Sequence, residues 1–472
     1  MKRHGAWVLL GLVAALAAWV VAVAYVVRSR DLVAVQAALV VYAAYGAAIQ
    51  LAGVAARRVR ERKRELYHLP FVSVLVPARD EAAVIQSTLR CIGQLRYHHA
   101  DGRPAIEVIV VDDRSQDGTG QRAARAELPV PLRVVRVSEG APGGKAAALN
   151  VGTQVASGQL LAIFDADARP EPDFLLQAVP HLLEPGVAAV QGRRRLYGGR
   201  GSVLARGQEH EFDVYQTSMQ RARDWLGARV LLGGNGMVVN RFALEAVGGW
   251  NPDALTEDID LAIRFHAAGW RVRYCEEAVV WEEAAPTWPA LVRQRARWCE
   301  GVLRVLVQHA LSIVRGHLPV LQKGEVLLFL TGSVLIPAAV FASYAYGLAA
   351  FLRGALLPYY LLPVPRALPE PLVAPAFGAL TASLGLAAVV ELRNTTKALG
   401  GFLAYGVLAV HPLLSTPLAL VNYAYGALTG RSRWWKTDRG TPQGVPAPQL
   451  TWQRDGRVGE WLALGSYRRA LP

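Results

Sequence analysis

The sequence predicts an α/β domain on a mostly parallel sheet, inserted between apolar segments long enough to cross a bilayer. Three observations carry this. From Leu69 to about Gly301, short β-branched or apolar runs alternate with helical or loop segments, the pattern of strands covered by helices on both faces. Acidic clusters follow three of those runs, where open α/β sheets bind their ligands. On either side, residues 7–27, 32–56, 326–351 and 372–390 carry no charged side chain, and each stretch is long enough to span a membrane as a helix.

Composition narrows the class. Of 472 residues, 53% are hydrophobic and 19% charged, which argues against a fully water-soluble protein. Cys91, Cys275 and Cys299 are spaced neither as a zinc site nor as a disulfide framework, as expected in a reducing compartment. The net charge of +14 does not indicate nucleic acid, because much of it is clustered beside apolar segments. Arg57, Arg58, Arg60, Arg62, Lys63 and Arg64 directly follow one of them. Such clusters meet anionic lipid on the cytoplasmic side.

Taken in order, residues 1–58 form a transmembrane hairpin with both ends in the cytoplasm. Arg28 and Arg30 in its outer turn run against the positive-inside rule and are outvoted by the cluster after residue 56. The domain then opens with strands at Phe71–Val76, Ile106–Val111, Leu132–Val137 and Leu160–Phe164. Pro77-Ala78-Arg79-Asp80-Glu81 follows the first strand and Asp112-Asp113-Arg114-Ser115 the second. Gly143-Gly144-Lys145 opens a helical stretch from Ala146 to Val151. Glycines there let a ligand approach the backbone, and the helix start with Lys145 favours an anion. The Walker spacing is absent.

The fourth strand stops at Asp165-Ala166-Asp167. Side chains alternate along a strand, so Asp165 and Asp167 project to the same side. Two close carboxylates repel unless a cation or proton lies between them. Mg²⁺ or Mn²⁺ takes one or two carboxylates and completes its shell with phosphate and water. A metal site holding a phosphorylated substrate and a solvated turn are both compatible with this stretch alone. Further on, Thr256 stands where a helix N-cap would, with Glu257 and Asp258 in the first turn. Gln294, Arg297 and Trp298 fall at i, i+3 and i+4, on one helical face suited to sugar and phosphate. A membrane-interface belt uses the same residue types.

Residues 302–320 carry Arg304, Gln308, Ser312 and Arg315 as one polar stripe, which predicts an amphipathic helix lying in the interface. A transmembrane region follows over 326–430, in which His411-Pro412 and Pro417 interrupt 401–428, giving a broken or re-entrant segment. Residues 431–472 form a basic cytosolic tail that opens Arg431-Ser432-Arg433-Trp434-Trp435-Lys436.

Together, Pro77-Ala78-Arg79-Asp80-Glu81, Asp112-Asp113, Gly144-Lys145, Asp165-Ala166-Asp167, Thr256-Glu257-Asp258 and Gln294-Arg295-Ala296-Arg297-Trp298 resemble, in order and spacing, the membrane-bound family 2 glycosyltransferases. These include the processive synthases of cellulose, chitin, hyaluronan and poly-N-acetylglucosamine. The resemblance covers residues 69–301. It implies a GT-A (Rossmann-like) fold, a nucleotide-sugar donor that is most often a UDP-sugar, Mg²⁺ or Mn²⁺, and inversion at the anomeric carbon. By position, Pro77, Arg79, Glu81, Asp112 and Asp113 would surround the nucleoside and Lys145 the diphosphate. Asp167 would be the most direct metal ligand, with Asp165 beside the ribose or metal. Asp258 would be the general base, with Glu257 beside the acceptor and Gln294, Arg297 and Trp298 securing diphosphate and acceptor. The expected activity is processive β-linked polysaccharide synthesis at the cell membrane, with the catalytic domain cytosolic. The alternative is one transfer to a lipid acceptor, and a non-enzymatic scaffold or transporter is remote. The partners expected are the donor, a carbohydrate or lipid acceptor and the bilayer, without nucleic acid.

Overall fold

The computed structural model describes residues 33–57, 69–198, 202–227, 230–316, 318–352, 370–429, 451–454 and 461–464. Its centre is an eight-stranded sheet in the order β3-β2-β1-β4-β7-β6-β8-β5. Strands β1 (Val72–Ala78), β2 (Ile106–Asp112), β3 (Leu132–Arg136) and β4 (Leu160–Ile163) are mutually parallel. They lie within a residue or two of the expected runs. The far half differs from the expected mostly parallel sheet. Strand β7 (Met237–Asn240) runs antiparallel to both β4 and β6 (Val187–Tyr197), and β5 (Arg169–Pro170) antiparallel to β8 (Arg271–Glu283). Only β6 and β8 are parallel there, so the sheet is mixed. Periodicity marks a buried strand but not the direction in which it is used.

Alternation of side chains builds two cores, one on each face. Val72, Val74 and Val76 pack with α2 (Ile85–Ile92) and α5 (Phe174–Leu182). Leu75, Ile109 and Val111 pack with α4 (Lys145–Val155) and α9 (Glu257–Ala267). The intervening helices are α3 (Thr119–Ala124), α6 (Val203–His210), α7 (Thr217–Trp225) and α8 (Arg241–Ala246), with a π-helical turn over Glu211–Gln216 joining α6 to α7.

After the sheet, α10 runs unbroken over Trp288–Arg315, capped by Thr287, whose Oγ1 accepts from the Ala290 N–H. The stretch expected as a separate interfacial helix over 302–320 therefore belongs largely to the helix that carries Gln294 to Trp298. Val307, Leu311 and Val314 stand exposed on it. Nothing between 298 and 302 breaks helical geometry, so the polar stripe alone could not place a boundary there.

The remaining helices are α1 (Val33–Ala56), which precedes the domain, and α11 (Val320–Leu352), α12 (Glu370–Leu392), α13 (Thr395–Leu408) and α14 (Pro412–Thr429), which follow it. Among the described residues, Ala37–Ala56 is long and apolar enough to cross a membrane. The pair α13–α14, bent by 41°, qualifies if its halves count as one span. The bend falls beside His411-Pro412 as expected, whereas α14 continues through Pro417. Residues 7–27 and most of the basic cluster after residue 57 lie outside the described residues. In the tail, Thr451–Arg454 (β9) and Trp461–Leu464 (β10) pair antiparallel.

Ion pairs fasten these helices to the domain. Glu391 of α12 is 1% exposed and bonds Arg57, at the end of α1, at 3.1 Å and Arg221 of α7 at 2.6 Å. Arg221 also holds Glu276 of β8 at 2.7 Å. Two residues on, the buried Arg223 pairs with Glu325 of α11 at 2.7 Å, and the Tyr45 hydroxyl of α1 donates to the same carboxylate. A Cβ on Gly53 would collide with the Ser218 carbonyl oxygen, so α1 and α7 touch backbone to backbone. Buried pairs of this kind are costly to break once formed.

Candidate active site

The loops after β1 and β2 interlock, which turns two acidic strand ends into one wall. The Asp80 N–H donates to Ser115 Oγ, and Asp80 Oδ1 accepts from the Gln116 N–H. Asp113, 3% exposed, accepts from the Arg114 guanidinium at 2.8 Å and from the Gly144 N–H at 2.8 Å. Arg79 stands 3.5 Å from the same carboxylate. Gly144 takes φ +102°, a conformation that favours glycine, to deliver that N–H at the start of α4. Pro77, Arg79, Glu81 and Asp113 line one cleft. Asp112 does not. Its carboxylate accepts from the Ser115 N–H and Arg136 and holds the loop from behind, a use that strand-end position could not separate from ligand binding.

Lys145 enters the cleft from the first turn of α4. Its Nζ lies 2.7 Å from Asp165 Oδ1 and 3.1 Å from Glu257 Oε1, and donates to the Gly234 carbonyl at 2.8 Å. Burial alone would lower the pKa of this ammonium, yet Asp165, Glu257 and Asp258 together raise it, so it stays a cation. Gly234 has φ +74°, and a Cβ there would press on Asp258 Oδ2 at 2.9 Å. Asp258, in the first turn of α9, is pushed up to about 7 by burial and the neighbouring Glu257, against Lys145 and the Ile259 N–H. A carboxylate with a pKa near neutrality suits proton abstraction.

Thr256 occupies the N-cap position expected of it, but its hydroxyl makes no capping bond and Oγ1 has no hydrogen-bond partner. It packs against Gly301 of α10, where any Cβ would collide with it. Close approach of α9 to α10 has displaced the cap.

Asp165 and Asp167 are held from opposite sides. The Asp165 N–H donates to Asn235 Oδ1, while Asp167 Oδ2 accepts from the Glu283 N–H at 3.3 Å. Asp167 is 5% exposed. Among the described residues no three His, Cys, Asp or Glu side chains are grouped to hold a metal on their own. An all-oxygen pair of carboxylates in an anion-binding cleft fits a hard divalent cation that takes its remaining ligands from phosphate and water. Sequence reasoning missed Glu282 in this wall. Asn235 Nδ2 donates to it at 2.9 Å, and burial raises its pKa, with Asp167 and Asp165 adding to the rise. Glu282-Glu283 ends β8, so the strand-end rule applied to the earlier clusters would have found it.

The opposite wall is α10. Gln294, Arg297 and Trp298 reach the same cleft, and so does Arg295, which had no expected role. Arg295 stacks over the Trp298 ring at 4.2 Å and pairs with Glu211 of the π turn at 2.9 Å. The cleft measures about 1260 Å³. Beyond Trp298 it continues between α1, α11 and α12, onto Tyr42, Ile49, Phe329, Ile336, Leu380 and Leu384. It therefore has a charged end that suits a diphosphate and a far end walled by aliphatic and aromatic side chains.

Residues 70–301 match the family model described as "Glycosyltransferase like family 2". Similar curated proteins include a beta-monoglucosyldiacylglycerol synthase of Trichormus variabilis, 35% identical over 295 residues that cover 62% of each chain. A poly-beta-1,6-N-acetyl-D-glucosamine synthase of Staphylococcus aureus is 27% identical over 247 residues, covering 52% of this chain and 57% of that one. These matches span less than two thirds of the relatives' length. Among solved structures, a mannosyltransferase of Pyrobaculum calidifontis in complex with GDP-Man and Mn²⁺ superposes with a TM-score of 0.53. It is 26% identical, and the alignment covers 76% of this chain and 99% of that one.

Proposed function

The chain belongs to glycosyltransferase-like family 2 through residues 70–301, on a GT-A-like mixed α/β sheet, and on that premise we propose that it transfers a sugar from a nucleotide-sugar donor to an acceptor hydroxyl with inversion. The observation that carries the proposal is the placing of Lys145 between Asp165 and Glu257 with Asp258 beside them. Donor phosphate and acceptor base then share one cleft.

In this reading Pro77, Arg79, Glu81 and Asp113 surround the nucleoside, with Asp112 bracing them. Asp167 and Asp165 hold Mg²⁺ or Mn²⁺, which supplies Lewis-acid neutralisation of the departing diphosphate. Lys145 and Arg297 add positive charge at the same leaving group. Asp258 takes the proton of the acceptor hydroxyl as its oxygen attacks the anomeric carbon. The bond from that carbon to the diphosphate oxygen breaks on the opposite face. Glu257 sits on the acceptor side, and Gln294 and Trp298 steady the acceptor and the leaving group.

The far wall of the cleft favours a lipid acceptor and a single transfer. Ile49, Ile336, Leu380 and Leu384 offer alkyl packing of the kind that suits acyl chains, and the Trichormus relative is named for a diacylglycerol product. Processive polymer synthesis is the second reading. Tyr42, Tyr45, Trp298 and Tyr405 line the same space and would stack on sugars, and the Staphylococcus relative is named for a polymer. In both, the protein is a multi-pass membrane protein with residues 69–301 cytosolic. Helix α1, the second half of α10 and the helices α11 to α14 flank that domain at the membrane in this reading.

Purified membranes supplied with radiolabelled UDP-glucose, UDP-N-acetylglucosamine, UDP-glucuronate or GDP-mannose test both readings. One lipid-soluble band supports single transfer, and a ladder supports the polymer. No turnover of any donor with either metal overturns the transferase proposal.

A further inference from the structure

The π-helical turn Glu211–Gln216 sits between the two walls of the cleft and touches both. Glu211 Oε2 accepts from Arg295 Nη2 at 2.9 Å, and Glu211 Oε1 accepts from Gln216 Nε2 at 3.4 Å. Gln216 Oε1 in turn accepts from Arg194 Nη2 at 2.9 Å. Arg194 faces Glu282 at 3.8 Å and donates to the Gly233 carbonyl. Asn235 then links Glu282 to the Asp165 N–H. The chain of contacts is continuous from the acceptor-side helix α10 to the donor-side carboxylates. Phe212, 2% exposed, lies between the two guanidiniums, 4.9 Å from Arg194 and 5.8 Å from Arg295. The turn is fixed from its other side, where Asp213 accepts from Arg195 at 3.0 and 3.2 Å and pairs with Arg193.

Charge explains why an acid is needed at position 211. Arg194 and Arg295 both line the cleft and repel each other across Phe212. Burial and Arg194 lower the pKa of Arg295, and Glu211 opposes that. The Glu211 carboxylate, bonded to Arg295 and linked to Arg194 through Gln216, offsets that repulsion, and networks in such surroundings set geometry more firmly than exposed pairs do. One-residue expansions of a helix concentrate at functional sites, and here the expansion presents Glu211 and Gln216, five residues apart, to the two walls.

We propose that Glu211 is a positioning residue: through Arg295 and Gln216–Arg194 it sets the acceptor wall of α10 relative to the donor carboxylates, so that an acceptor hydroxyl, rather than water, receives the sugar. The proposal rests on the transferase reading above. Its signature is a change in partition. Hydrolysis of the donor needs the metal, Lys145 and Asp258, and transfer needs the set acceptor wall in addition.

The test uses the full chain in detergent with Mn²⁺, the donor that turns over in the wild type, and dioleoylglycerol micelles as the acceptor probe. Nucleotide release without acceptor and sugar incorporated into product are measured side by side. Glu211→Gln keeps the size and removes the charge. It is expected to lower incorporation at least tenfold, with nucleotide release within threefold of wild type and an unchanged KM for donor. Glu211→Asp, which restores the charge, is expected to recover part of the incorporation. If Glu211→Gln fails to fold, Gln216→Leu breaks the same chain at its next member and is expected to shift the same ratio. A parallel fall in release and incorporation, or an unchanged ratio, overturns the positioning role. A wild type that turns over donor without labelling dioleoylglycerol is tested on its own polymer product, with the same ratio as readout. A wild type with no turnover of any donor defeats the transferase reading itself, a result distinct from both.

Discussion

The pH dependence of transfer follows from one buried carboxylate. Asp258 is raised to about 7 by burial and by Glu257, with Lys145 opposing. In the proposed mechanism the ionised form is the base, so activity is expected to be lost as pH falls through that value. The constant to follow is kcat/KM, which reports groups of the free enzyme. For one base near pH 7, the ionised fraction rises from about a tenth at pH 6 to about nine tenths at pH 8, so kcat/KM rises roughly tenfold over that interval. An unperturbed aspartate would already be ionised at pH 6 and give a flat profile. Glu257→Gln removes the neighbouring charge that raises Asp258 and frees Lys145 from one of its partners. Both effects lower the pKa of the base, so the acidic limb moves to lower pH. Steady-state nucleotide release between pH 5.5 and 9 in a constant-ionic-strength buffer reads the limb directly. A wild-type profile flat from pH 6 to 8, or a Glu257→Gln limb displaced toward alkaline pH, refutes the assignment. So does an Asp258→Asn enzyme within a few-fold of wild type, because loss of a general base costs about 10²–10⁴ in rate.

Three further outcomes are expected. Asp167→Ala removes metal-dependent donor binding, read by titration calorimetry with and without Mn²⁺, and undiminished metal-dependent affinity would count against a ligand role. Gly301→Ala forces α10 away from Thr256 and destabilises by about 1–3 kcal/mol, as overpacked cores do, with a matching fall in melting temperature. An unchanged melt would show that the contact yields freely. Glu391→Gln leaves Arg57 and Arg221 without their buried counter-charge at a cost of about 3–5 kcal/mol. Chemical denaturation in detergent measures it, and a change below 1 kcal/mol would mean that the pair is solvated.

The half of the sheet proposed to bind the donor was legible because its rules are local. Buried parallel strands write continuous apolar runs, their acidic clusters fall where the chain leaves the sheet, and Lys145 announces itself beside two glycines. The second half was not legible. The antiparallel placement of β7, the contact of Thr256 with Gly301 and the alliance of Arg295 with Glu211 each depend on residues distant in sequence, and no spacing encodes them. Asp112 shows the limit from the other side. Its position matched the rule, and its carboxylate is spent on the loop. Glu282 obeys the same rule at the end of β8, although no expectation was placed on it. The π turn leaves no signature in sequence, since Glu211 to Gln216 reads as an ordinary helical stretch.

The fastening of α7 to its neighbours sets where this protein can be cut. Arg221 and Arg223 belong to the transferase domain by sequence, but the acids that neutralise them, Glu391 and Glu325, come from helices beyond it. An excised fragment of residues 69–301 would carry both cations with Glu276 as the acid left to Arg221, on a face meant to be covered and beside Ser218 stripped of its contact with Gly53. The catalytic unit is thus smaller than the folding unit. The helices outside residues 69–301 finish the domain they follow and precede, so changes to them will be felt as changes in its stability.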